Sequence, residues 1–277
     1  MNTPLTSLSS QSPAPLSAAS SAQLPVLFVS HGSPMFALDA GSTGPALRDW
    51  AQQHAKPRSV VVMSPHWMAR APTVMGTPEP QTWHDFGGFP SALYQLHYPA
   101  PGNPALAQDV LQLLQAAGIQ ATPDPQRPFD HGAWVPLMHL YPEADIPVVQ
   151  IALPAHWGPA QVCELGQALR PLRSQGVLLM GSGSMTHNLD EFFGGNHEPA
   201  PYVLAFSRWV EDKISQGDMK ALLNYRELAP QAQRAHPTDE HFLPLFFALG
   251  AADDGARPHY LSREVMYGML AMDALTL

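Results

Sequence analysis

Short, continuous apolar runs alternate along this chain with longer stretches in which apolar residues recur every three or four positions. Residues 25–30 (PVLFVS), 58–64 (RSVVVMS), 147–152 (PVVQIA) and 176–181 (GVLLMG) predict buried strands. Val60, Val61 and Val62 form the unbroken β-branched run expected of a parallel strand covered on both faces. Residues 72–76 and 119–122 predict short strands, and residues 265–274 a closing one. Helical spacing marks residues 45–54, 132–140 and 239–249, the set Val162, Leu165, Leu169 and Leu172, and the set Tyr202, Phe206, Trp209, Val210 and Ile214. Asn103 and Pro104 read as N-cap and first turn of a helix that runs through Leu106, Val110 and Leu114 and ends at Gly118. Strand and helix alternate throughout. The pattern predicts an α/β fold: a single domain with a mainly parallel central sheet flanked by helices on both faces.

Two segments stand outside that rhythm. Residues 1–24, rich in Ser, Pro, Ala and Gln, predict a disordered tail, leaving residues 25–277 as the folded domain. Residues 77–102 form a loop longer than a mere connection needs, and such loops tend to be functional. The tail lacks the basic start and apolar stretch of a signal peptide, and no apolar run approaches a membrane span. A cytoplasmic protein is expected.

Composition sharpens this picture. Charged residues make up 13% of the 277 residues, about half the usual share, which suits much buried surface and a homo-oligomer interface. The net charge of −9 contains no basic stripe, so neither nucleic acid nor a membrane is an expected partner. The single cysteine, Cys163, excludes an internal disulfide and thiolate metal clusters.

Histidine carries the candidate chemistry. His31 in SHGSP, His66 in SPHW and His187 in GSGSMTHNL each follow an apolar run, where side chains past neighbouring strand ends converge on one crevice. His241, in PTDEHFLPL, is placed on the predicted helix, facing Leu243–Leu245. Each taken alone reads about as well as a turn or core histidine; several imidazoles at one rim point to a metal site. In FDHGAW, Asp130 either sets the tautomer of His131 or simply caps the following helix. The aromatic segments HDFGGFP and HYPAPG suit a pocket lid. The remaining His54, His139, His156, His197, His236 and His259 read as solvent or packing residues. The GSGS turn lacks the glycine spacing and lysine of phosphate loops, and no GxSxG or HExxH motif is present.

Together SHGSP, SPHW, DFGGFP, YPAPG, DHGAWVPL, GSGS..HNL and PT..HFLPL, in this order from about Pro25 to the C-terminus, resemble the class III extradiol ring-cleavage dioxygenases of the LigB-type superfamily, in the DOPA 4,5-dioxygenase-like branch. The resemblance implies metal ligands at His31, His66 and His241, an acid/base histidine at His187 that some zinc-bound relatives use as a fourth ligand, and a substrate-side histidine at His131. It implies Fe(II) for activity, with Zn(II) as an alternative bound ion, and a catecholic small molecule and O₂ as partners. Where the wider superfamily has a glutamate ligand, this chain has a third histidine, so the ligand set carries no carboxylate to offset the metal charge. Pro65 stands where relatives often carry alanine, and Met185 is expected to narrow the pocket. The alternative is a zinc-binding scaffold or zinc hydrolase that kept the fold without dioxygenation.

Overall fold

Successive residues of the central strands point to opposite faces, and both faces are buried. Val26, Phe28, Val61 and Met63 pack into one hydrophobic cluster; Leu27, Val29, Val60 and Val62 pack into a second on the other side. The computed structural model describes residues 23–194 and 198–277. Residues 1–22 of the expected tail, and His197, lie outside them. Leu24, which composition assigns to the tail, is buried, and its carbonyl accepts a hydrogen bond from Arg173 Nε at 2.9 Å.

The strands are β1 (Leu27–Ser30), β2 (Ser59–Ala69), β3 (Thr73–Met75), β4 (Thr122–Asp124), β5 (Val148–Pro154), β6 (Val177–Gly183), β7 (His259–Ser262), β8 (Val265–Met266), β9 (Leu270–Ala271) and β10 (Ala274–Thr276). Eight of them form one sheet in the order β4-β3-β5-β2-β6-β1-β10-β7. The central strands β5, β2, β6 and β1 are parallel. Antiparallel pairing begins only outside them, at β3 with β5 and β10 with β1. The helices are α1 (Thr43–Gln53), α2 (Pro104–Ala116), α3 (His131–Leu140), α4 (Pro159–Leu169), α5 (Pro201–Gln216), α6 (Met219–Leu223), α7 (Tyr225–Leu228), α8 (Ala232–Ala235) and α9 (Leu243–Ala251). Leu47 and Trp50 of α1 and Trp134 and Leu137 of α3 cover one face. α2, α4, α5 and α9 cover the other. Asn103 caps α2 as expected, its side chain accepting from Leu106 N at 3.0 Å.

Four details depart from the sequence reading. The closing strand is broken into β8, β9 and β10, because Tyr267 and Gly268 both take positive φ, which no strand residue adopts. The strand expected at 119–122 lies at 122–124, on the sheet edge where Pro123 costs no ladder bond. The short helices α6–α8 and strand β7 were not foreseen. Finally, α9 starts at Leu243, so His241 lies in the turn before it rather than on the helix.

Candidate metal centre and active site

The carboxyl ends of β1, β2 and β6 open onto one crevice, though β1 and β2 are not neighbours, since β6 lies between them. His31 directly follows β1. His66 sits inside β2, where the register with β5 jumps from Ser64↔Ala152 to Met68↔Leu153 and leaves Pro65, His66 and Trp67 as a bulge. Bulges re-aim side chains next to functional sites. Pro65 belongs there because its missing N–H forfeits no ladder bond. His241 reaches the same point from the turn before α9. Its approach depends on Gly183, where an added Cβ would strike the His241 carbonyl. That close contact, and not phosphate binding, accounts for this glycine of the GSGS turn. Ser184 N donates to the same carbonyl at 2.8 Å. Gly132, in the first turn of α3, leaves room for the rings of His31 and His66.

The three imidazoles meet through their Nε2 atoms. His31 Nε2 and His241 Nε2 lie 3.0 and 3.3 Å from His66 Nε2. The hydrogen-bond partners of the opposite nitrogens decide the tautomers of His31 and His241. Ser182 Oγ donates its own proton to the Gly132 carbonyl, so it accepts from His31 Nδ1 at 3.0 Å. Glu240 Oε1, an acceptor when ionised, lies 3.0 Å from His241 Nδ1. Asp85 Oδ2 faces His66 Nδ1 at 3.7 Å. With Nδ1 protonated on His31 and His241, their Nε2 lone pairs converge on His66 Nε2, an arrangement that suits a cation. The spacing matches the edge of about 3.3 Å between nitrogens in a tetrahedral site with bonds of about 2.0–2.1 Å. Burial, and then the neighbouring imidazoles, holds His31 and His241 well below the usual histidine range. Burial likewise pushes His66 down to about 3. All three are therefore neutral near pH 7, the form that binds metal.

His187 and His131 flank this cluster. His187 is held by a bond from its backbone N to the Ala235 carbonyl at 2.8 Å. Its ring lies flat on His241, with centroids 3.6 Å apart and an interplanar angle of 7°. Burial, opposed by the Glu240 carboxylate, pushes it down to about 4. His131 opens α3, its centroid 3.9 Å from that of His66. Its carboxylate partner is not Asp130 but Asp85, which accepts from His131 N at 2.8 Å and lies 3.0 Å from Nδ1 through either oxygen. Asp130 is the helix cap: fully buried, it accepts from Ala133 N at 3.2 Å, Ser64 Oγ at 2.7 Å, Arg127 at 2.9 Å and Gln150. This network braces the bulge, since His66 N donates in turn to Ser64 Oγ at 3.2 Å.

Two expectations change here. Met185 does not narrow the crevice; its side chain is buried in the hydrophobic cluster with Phe206 and Phe242. The three converging histidines bring no carboxylate of their own, but Asp85 and Glu240 stand directly behind two of them and offset a bound ion's charge. Among the histidines read as packing residues, His139 Nε2 and His236 Nε2 face the carbonyls of Phe36 and Met185, both at 2.9 Å. His54 Nδ1 faces the Trp50 carbonyl at 2.8 Å.

Residues 25–272 match the family described as the catalytic LigB subunit of aromatic ring-opening dioxygenase. The chain belongs to this family. It is an aromatic ring-opening dioxygenase, and its histidine cluster fits the metal on which the family's chemistry depends. It is 41% identical over 248 residues to a 4,5-DOPA dioxygenase extradiol of Beta vulgaris, covering 88% of this chain and 92% of the relative. It is 39% identical over 259 residues to a protein of the same name from Escherichia coli K12, covering 91% and 94%. The crystal structure of an uncharacterized Escherichia coli K12 protein superposes with a TM-score of 0.78 at 33% identity, covering 91% of this chain and 99% of that one. The activity requires a small aromatic substrate and O₂. No helix among the described residues is long and apolar enough to cross a membrane.

Sequence reasoning missed Asp85 and Ser182 as partners of the site histidines. Asp85 lies 46 residues from His131, and no spacing rule links them; its one signal was its place in the DFGGFP segment.

Proposed function

We propose that His31, His66 and His241 hold one divalent metal ion, and that the enzyme cleaves a catechol ring beside its diol. The observation that carries this reading is the convergence of three Nε2 atoms, with an acceptor at Nδ1 of His31 and of His241. Fe(II) is the ion proposed for activity; neutral imidazoles also accept Zn(II), which is redox-inert. A bound iron supplies the redox centre at which catechol and O₂ react. The relatives' names point to a DOPA-like catechol as substrate.

The protein's own groups divide the remaining tasks. His187 acts as acid/base and not as a fourth ligand. The His187 ring lies face-on against His241, and its nitrogens group with Glu240 and His241 and not with the His31, His66 and His241 nitrogens that would hold the ion. The neutral His187 ring takes the second hydroxyl proton of the catechol and returns it on ring opening. His131, with Nδ1 committed to Asp85, offers Nε2 to the substrate. The loop 77–102 supplies an aromatic wall beside it: Phe86 packs edge-on to His131, with centroids 5.5 Å apart, and against Phe89 and Tyr94.

The test is O₂ consumption by protein loaded anaerobically with Fe(II), offered DOPA, caffeate, protocatechuate and catechol, beside metal analysis. Ring cleavage gives a yellow semialdehyde. Folded, Fe(II)-loaded protein that stays inert toward all four would overturn the proposed metal and catechol substrate.

A further inference from the structure

We infer that Asp85 is a positioning residue, carried into the site by the loop 77–102, that fixes the tautomer of His131 and faces His66 with the same carboxylate. This deepens the function proposed above and rests on it only for its catalytic consequence. Asp85 is nearly buried, with 6% of its side chain exposed. Its Oδ1 accepts from His131 N at 2.8 Å, and both of its oxygens lie 3.0 Å from His131 Nδ1. With acceptors on that side, His131 Nδ1 carries the proton, and Nε2 is the nitrogen left for substrate. Oδ2 of the same carboxylate faces His66 Nδ1 at 3.7 Å. One side chain thus selects Nε2 on the substrate-side ring and stands behind a metal-side ring.

The loop is pinned around Asp85. Trp134 Nε1 donates to the Trp83 carbonyl at 3.0 Å, and His84 Nε2 faces the Leu96 carbonyl at 3.0 Å. Phe86, next in the chain, packs on the ring that Asp85 orients. The residue that shapes the pocket wall and the residue that sets the tautomer are therefore neighbours on one segment, while His131 belongs to α3. A purely structural role competes with this, because Asp85 also accepts from His131 N at the start of α3, where a carboxylate suits the helix dipole.

Asp85→Asn separates the two. The amide oxygen keeps an acceptor for His131 N, so a structural role predicts an unchanged spectrum; the lost charge releases the tautomer. Long-range ¹H–¹⁵N spectra of histidine-labelled, Zn(II)-loaded protein read it directly. Wild type should show His131 protonated at Nδ1, and Asp85→Asn should shift population toward the Nε2–H form. In the Fe(II)-loaded variant kcat should fall roughly 10–100-fold, the usual cost of losing an orienting partner, with KM little changed. An unaltered His131 tautomer in folded Asp85→Asn overturns the inference. Should that variant not fold, the wild-type spectrum decides: an Nε2–H tautomer for His131 overturns it. A tautomer shift in a protein that never cleaves catechols would support the positioning role and count against the proposed catechol substrate alone.

Discussion

The two flanks of the histidine cluster use the same parts in different ways. On one side Asp85 orients His131 and faces His66, whose rings are tilted 42° to each other. On the other, Glu240 serves His241, against which His187 lies parallel at 7°. Glu240 is the chain neighbour of the histidine it holds; Asp85 comes from a loop 46 residues before His131. Glu240 is placed beside His241 by the chain itself, and also comes within 4.8 Å of the His187 ring. A carboxylate from a distant loop ties two elements together, so the geometry of that flank depends on the loop being in place. Stacking adds a second difference. The His187 ring lies face-on against His241, whereas His66 Nε2 approaches the Nε2 atoms of both His31 and His241.

The largest effect should come from breaking the convergence itself. His66→Ala and His241→Ala each remove one of three donors, and both proteins should lose most of their bound metal on elemental analysis. Full retention by either folded variant would take that residue out of the site. His187→Ala should instead keep its metal and lose roughly 10²–10⁴-fold in turnover, as expected for a general acid–base group. Loss of metal and rate together would make His187 a fourth ligand and contradict the stacking argument. Glu240→Ala should be milder, lowering metal affinity roughly 10–100-fold in a competition titration, because it removes an orienting partner of His241 and not a ligand. An unchanged affinity would reduce Glu240 to a surface partner.

The smallest effect concerns a histidine on neither flank. His139 is buried against the Phe36 carbonyl, and burial lowers its pKa. The unfolded chain, with an ordinary histidine pKa of about 6.5, then binds the proton first as pH falls. His139 therefore detracts from stability as pH drops below about 6.5, and not above it. His139→Gln should flatten the fall in urea midpoint between pH 7 and pH 5.5. An identical slope in both proteins would show that other groups carry the acid sensitivity.

Much of this was legible in the chain because it is local. The β-branched run Val60–Val62 required cover on both faces, and the residues alternate between the two buried clusters. Asn103 and Pro104 announced α2. The histidines at His31 and His66 were marked by apolar runs ending in small or polar residues. His241 was recognised as a candidate but set on a helix, because the apolar LPLFFAL pattern extends up to it; the turn begins one residue too early for periodicity to show.

What the sequence by itself determined is the α/β class, the placement of His31 and His187 past strand ends, and the family. Each follows from short-range periodicity or from motifs contiguous in the chain. Tertiary structure alone decided which nitrogen each imidazole presents, because Ser182, Asp85 and Glu240 reach the rings through the sheet, a loop and a turn. It also assigned Asp130 to the helix cap and Asp85 to His131. A carboxylate three residues from a helix N–H satisfies it wherever the helix forms, whereas a carboxylate 46 residues away meets an imidazole only after the whole crevice has closed.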